Sequence, residues 1–140
     1  MRFIILVKAT KDSEAGTMPD DMLIATMATY HEELAKAGVL LAASGLHPSA
    51  TGWRIHYDGE THTLVEGPFP DTEDLVAGYT LIRVASREEA MEWTKRFPNP
   101  AIDGMQAEIE VRQLIELEEF APSDAVDRFR KMTSDLERSP

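Results

Sequence analysis

Cysteine is absent from the 140 residues, so neither disulfides nor thiolate chemistry is available to this chain. Basic residues are scarce: 14 Lys and Arg stand against 25 Asp and Glu, for a net charge of -11. Such a surface repels phosphate backbones and anionic lipid, which argues against nucleic acid and membrane as partners. Long apolar runs are missing as well. No segment approaches the roughly 18 apolar residues of a membrane span. The stretch Phe3–Val7 behind a single arginine is too short for a signal-peptide core, so a cytoplasmic location is the expectation. There is no Gly-rich phosphate cradle and no GxSxG elbow, so neither a nucleotide cofactor nor serine hydrolysis is expected. His31, His47, His56 and His62 lack HxH or HxxxH spacing, and no metal site is expected from them.

What is present suffices for one domain with one core, since 43% of the residues are hydrophobic. Phe3–Val7 predicts a strand that is apolar on both faces. A polar loop runs from Thr10 to Met18. Pro19 then opens a helix, with Asp20 and Asp21 in its first turn, where negative charge suits the helix dipole. Leu23, Met27, Tyr30 and Leu34 form one apolar stripe at helical spacing, and Gly38 ends the helix. Val39–Ala43 predicts a second strand, again apolar on both faces. Trp53–Tyr57 and His62–Glu66 flank Asp58-Gly59, a tight-hairpin signal. A two-residue turn there pairs Ile55 with His62 and Trp53 with Leu64, placing His62 on the apolar face and His56 on the other. Tyr79–Val84 predicts a third main strand. Ser86 and Glu89 predict a capping box at a second helix that buries Ala90, Trp93 and Phe97, with Pro98-Asn99-Pro100 stopping it. Ala107, Ile109 and Val111 alternate with acids and Arg112 as a fourth main strand. A last helix from about Ser123 carries Val126, Phe129, Met132 and Leu136 on one side.

This order is an α+β, ferredoxin-like β-α-β-β-α-β arrangement with an inserted hairpin. Two helices cover only one face of its four-stranded sheet. An uncovered apolar face of that size normally marks an interface. The expected cover is the same face of a second copy, related by a two-fold axis, so a homodimeric α+β barrel is predicted. Residues 1–120 form the domain, and residues 121–140 an amphipathic helix that packs on it or on the partner.

The candidate site centres on Glu66-Gly67-Pro68-Phe69-Pro70-Asp71-Thr72-Glu73-Asp74, a turn-forming, charge-dense loop that a small core does not need. Its carboxylates suit two roles. One member with a raised pKa could act as acid or base, or Asp71–Asp74 could cap the turn before Tyr79. Phe69 fits either a pocket plug or a stacking platform for a ligand. His31 lies beside the helix stripe, next to Ile24 on the helical wheel. It suits a general acid-base group facing a cleft and equally a half-buried boundary histidine. Arg112 could anchor a substrate carboxylate or pair with neighbouring acids, and Tyr79 could donate to a ligand or pack its ring. Glu66 and His62 complete the candidates for ligand contact.

Glu66-Gly67-Pro68-Phe69 resembles the Asp-Gly-Pro-Phe signature of the DGPF branch of the YCII-related superfamily, with Glu66 at the place of the aspartate. Ala9–Gly16, Glu32-Glu33-Leu34, Gly45-Leu46-His47-Pro48, Ala77-Gly78-Tyr79, Glu89–Trp93 and Glu110-Val111-Arg112 also match, so the resemblance covers residues 1 to about 117. It implies a dimeric ferredoxin-like barrel. Through relatives that are cofactor-free lyases or dehydrochlorinases of ring compounds, it implies a His-Asp pair. The helix histidine of those relatives falls near Met27 here, and His31 lies one turn later. The expectation is therefore a cofactor-independent acid-base lyase or isomerase on a small cyclic molecule, with His31 and Asp71 as its catalytic candidates. The alternative is a non-catalytic ligand-binding or regulatory dimer tied to a sigma factor.

Overall fold

Strand alternation decides which side of β1 (Arg2–Lys8) becomes core. Phe3 and Ile5 are buried, whereas Ile4 and Leu6 on the other face are only half-buried. In the computed structural model, which describes residues 1–138, β1 is central to the main sheet. The single turn α1 (Lys11–Glu14) and the long helix α2 (Asp21–Lys36) follow it. The segment after Thr10 is thus not all loop. Thr10 Oγ1 accepts from Ser13 N at 3.2 Å while Thr10 N donates to Ser13 Oγ at 2.8 Å, and this reciprocal cap closes the single turn α1. Asp20 caps α2 from outside, accepting from Leu23 N at 2.8 Å. Gly38, at φ +75°, ends it.

The remaining elements are β2 (Leu40–Gly45), β3 (Trp53–Asp58), β4 (Thr61–Glu66), β5 (Val76–Arg83), α3 (Arg87–Lys95), β6 (Ile109–Gln113) and α4 (Asp124–Arg138). The sheet order is β2-β5-β1-β6, every described pairing antiparallel, with β3 and β4 as a separate two-stranded ribbon. This is the ferredoxin-like arrangement with the hairpin inserted between its second and third strands. Ile5, Leu34 and Ile82 are fully buried, and Phe3, Tyr30, Val39, Val84 and Ala90 close the core between sheet and helices. Burying one such side chain contributes about 2 kcal/mol. The Tyr30 hydroxyl donates to Trp93 O at 2.7 Å. Burial pushes its phenol up to about 12.

The hairpin register differs from the expected one. Ile55 pairs with Leu64 and Tyr57 with His62, while Trp53 pairs with Glu66. The turn residues are Gly59 and Glu60, not Asp58 and Gly59. Only Gly59 has a positive φ, +62°, which suits a Gly-X turn, whereas an Asp-Gly turn of type I′ needs it at both positions. The slip is by two, so the faces are kept: His62 lies with Trp53, Ile55, Tyr57 and Leu64, and His56 opposite. At α3, Ser86 Oγ accepts from Glu89 N as expected, but the Glu89 carboxylate reaches back to Ala85 N, one residue earlier than a capping box requires. In the stripe of α4 Val126 is half-buried and Phe129, Met132 and Leu136 are exposed, Leu136 at 75%. Among the described residues, none of α4 is buried.

Candidate active site

The apolar stripe of α2 has two fates. Tyr30 and Leu34 enter the core, while Met27 and Leu23, one and two turns earlier, stay half-buried and line a cleft of about 810 Å³. The cleft exists because the sheet beneath them is made of small residues. Ala43 pairs with Thr80 and Gly45 with Gly78, and all four line it. The segment Gly16–Pro19, the turn Leu46–Pro48 and Phe97, Pro100 and Ile102 add to its wall. Its volume falls in the range of small-molecule sites, about 300–1,000 Å³.

His31 is the polar centre of this wall. Its Nδ1 lies 2.7 Å from Met27 O, and its Nε2 lies 2.8 Å from Thr80 Oγ1. A carbonyl only accepts, so Nδ1 carries the hydrogen, and in the neutral ring Nε2 is the basic nitrogen, accepting a hydrogen bond from the Thr80 hydroxyl. Thr80 is 2% exposed, and its hydroxyl has His31 as its partner. Tyr30 and Phe97 meet the imidazole edge-on at centroid distances of 5.5 and 6.0 Å. The ring is thus fixed in tautomer and orientation by a helix carbonyl, a strand hydroxyl and two aromatic rings.

The charge-dense loop stands behind the cleft wall rather than in it. Ser49 is its anchor. Ser49 N donates to Glu14 Oε2 at 2.9 Å, Ser49 Oγ donates to Glu14 Oε1, and Phe69 N donates to Ser49 Oγ at 3.0 Å. Gly67 N donates to Gly52 O at 2.9 Å, and the Gly67–Pro68 peptide is cis. Gly67 is required sterically, because a Cβ there would lie 1.9 Å from Ser49 O. The Arg54 guanidinium sits 3.8 Å above the Phe69 ring, covering one face of it. Since Pro48 lines the cleft and Ser49 holds the loop, the Glu-Gly-Pro-Phe segment buttresses that wall through one shared turn.

Of the seven candidate residues, His31 and Tyr79 border the cleft, and Asp71, Glu66, Phe69, His62 and Arg112 do not. Strand alternation turns the Tyr79 ring to the face opposite Thr80. Asp71 is exposed ahead of a 3-10 turn, Thr72–Asp74. Its carboxylate makes no capping bond. The turn closes through Asp74 N to Asp71 O at 2.9 Å instead. Glu66 is exposed at the end of β4, and His62 packs near Tyr57 on the ribbon, 6.2 Å between centroids. Arg112 is exposed on the helix-free face of the sheet and pairs with Glu110 at 3.3 Å.

Thr80, Lys8 and His47 also line the cleft, and none of them stood out as a candidate. Thr80 is the one aliphatic hydroxyl in β5, a signal that becomes specific only once it is known to face α2. Among the described residues, no group of three or more His, Asp or Glu is placed to hold a metal ion. None of the described helices is long and apolar enough to cross a membrane.

No curated protein matches the chain. Among solved structures, it is similar to 5-chloro-2-hydroxyhydroquinone dehydrochlorinase from Burkholderia phenoliruptrix, determined in complex with 2,5-dihydroxybenzoquinone. The similarity spans 82% of this chain and 94% of that one, at 16% identity and a TM-score of 0.44. The family model of the YCII-related domain matches residues 1–115. By that match over most of its length, the chain belongs to the YCII-related family.

Proposed function

We propose that the cleft binds a small cyclic molecule and that His31 moves a proton of it without a cofactor, as a lyase or isomerase requires. The observation that carries this is the anchoring of the imidazole. Met27 O holds Nδ1–H, so the basic Nε2 is the nitrogen that can exchange its Thr80 partner for a substrate proton. Low-polarity walls from Leu23, Met27 and Phe97 suit a ring and exclude water around the transfer. Asp71 remains a candidate only for an assembly that brings it to this cleft, because it lies outside the lining within one chain.

One observation favours a second reading, a non-catalytic ligand-binding dimer. Both imidazole nitrogens already have partners within the protein, and no carboxylate among the described residues bonds to the ring. For the assembly we infer a homodimer. Ile4, Leu6 and Leu81 make an apolar patch on the helix-free face, and α4 presents Phe129, Met132 and Leu136 unburied. Together these surfaces suit packing against a second copy.

The test is a panel of small cyclic ketones, lactones and hydroxylated aromatics, scored for binding and turnover. The variants are His31→Gln, which loses the basic nitrogen, and Gly45→Leu. An added Cβ at Gly45 finds its nearest neighbour at 4.0 Å, so the leucine fills the cleft without backbone strain. Turnover lost in both variants supports catalysis. Binding without turnover, lost only in Gly45→Leu, supports the second reading. Binding indifferent to Gly45→Leu removes the cleft from both.

A further inference from the structure

The cleft is larger than one ring needs. A cavity of about 150 Å³ suffices to hold benzene, and this one measures about 810 Å³. It is also long. Ile24, Ala28 and His31 recur at helical spacing along one side of α2, with Leu23 and Met27 beside them, and all five line it. From Leu23 to His31 the helix rises about 12 Å, at about 1.5 Å per residue. On the sheet side Ala43 pairs with Thr80, the partner of His31. Leu46 lies three residues further on, about 10 Å away at about 3.3 Å per residue. A ring within reach of His31 Nε2 therefore leaves the Leu23 end of the cleft unfilled.

That end is apolar and open to water. Met18, Ile24 and Leu46 line the cleft, yet they are exposed at 78%, 51% and 50%. Exposed apolar side chains grouped at one mouth mark a surface that binds something. Charge narrows the choice. Among the described residues no Asp, Glu or Arg lines the cleft. Lys8 borders it, but the alternation of β1 groups the Lys8 side chain with Ile4 and Leu6 on the helix-free face. Beyond its two histidines the lining thus offers no ionic partner, in a chain whose net charge of -11 repels anions. An ion brought here would lose its water with no counter-charge opposite, which is costly.

We infer that the cleft takes an uncharged ring bearing an apolar tail, with the ring at His31 and the tail running along α2 past Leu23 to Met18 and Leu46. This rests on the cleft being the small-molecule site proposed above and names the class of that molecule. The polar end of the cleft serves the reacting ring, and the apolar mouth selects by tail length.

The test titrates 4-methylphenol, 4-propylphenol and 4-pentylphenol calorimetrically into the full chain near neutral pH, where phenols are uncharged. The anionic match is 4-pentylbenzoate. Complete burial of a CH₂ group tightens binding about fourfold, so about threefold per group is expected in this open mouth. The pentyl compound should then bind about 80-fold tighter than the methyl compound. Met18→Ser combined with Leu46→Ser, both at exposed positions, should cut that ratio about tenfold. The benzoate should bind at least about tenfold more weakly than 4-pentylphenol. A ratio near one, as when a second copy of the chain covers Met18 and Leu46, overturns the inference. A ratio that the double variant leaves intact, or a benzoate that binds as tightly as the phenol, overturns it too. The small-molecule reading of the cleft survives those outcomes if 4-methylphenol binds and Gly45→Leu weakens it. No binding of any probe, or binding indifferent to Gly45→Leu, overturns the inference and the cleft together.

Discussion

Gly67→Ala is predicted to be among the most damaging single-methyl additions to this protein. The added Cβ would lie 1.9 Å from Ser49 O and 2.7 Å from Ser49 C, both backbone atoms. Separation to ordinary contact requires a shift of more than an ångström, which the hydrogen bonds from Gly67 N to Gly52 O and from Phe69 N to Ser49 Oγ do not survive. Two such bonds contribute about 1 kcal/mol each, and repacking an overfilled site costs about 1–3 kcal/mol. The sum is about 4 kcal/mol. With about 2.1 cal/mol/K of unfolding entropy per residue, this lowers Tm by about 13 °C. Gly52→Ala is the internal control. It faces the same carbonyl, Ser49 O, but at 3.6 Å, an ordinary contact. Thermal melts followed by circular dichroism, with urea titrations for the free energy, read both variants. Gly67→Ala melting within about 2 °C of wild type, or no lower than Gly52→Ala, would refute the view that this loop is clamped on the Ser49 turn.

Alkaline pH gives a second readout. The Tyr30 phenol is raised from near 10 to about 12 by burial, so the unfolded chain ionises first. Stability is full below pH 10 and falls as pH rises toward 12, by about 3 kcal/mol; in urea titrations across that range, Tyr30→Phe should flatten the fall. At the acid end, the Arg2 guanidinium, bonded to Glu116 at 2.8 and 3.0 Å, holds the Glu116 carboxyl below the usual range. That contribution is present at neutral pH and lost as pH falls through the lowered pKa, and Glu116→Gln should remove it. Both side chains are about one-third exposed, so the loss should stay within about 1 kcal/mol. Phe129→Glu should shift the inferred dimer toward monomer in light scattering coupled to gel filtration, and an unchanged mass would exclude the α4 stripe from the interface.

The four main strands and two long helices were legible because their apolar periods are unambiguous. The run Phe3–Val7 reads as a strand and the stripe from Leu23 to Leu34 as a helix, with no competing period in either. Three features were not legible, for separable reasons. The one-turn helix after Thr10 rests on a reciprocal cap with Ser13 in the place usually held by Glu or Gln. The hairpin slip turns on which side of Gly59 the second turn residue falls, and the alternating pattern is identical for both. The cleft is the largest omission. It arises from the Gly45–Gly78 pairing and from small side chains at Ala43 and Thr80, and no local pattern announces that these residues share a face. His31 was singled out without its partner, since Thr80 lies 49 residues away in the chain. The charged loop drew notice by composition, whereas its contacts are those of a brace. Glu14, Ser49 and Arg54 hold it, and its own carboxylates Glu66 and Asp71 face solvent.

The claim that His31 Nε2 moves a substrate proton is tested most directly by deuterium wash-in. A cyclic compound found to bind the cleft is incubated with the protein in deuterium oxide, and its carbon-bound hydrogens are followed by proton NMR. Loss of one specific signal with the wild-type protein, slowed at least about a hundredfold in His31→Gln, is the predicted result. Exchange at equal rates in wild type and His31→Gln would contradict the assignment.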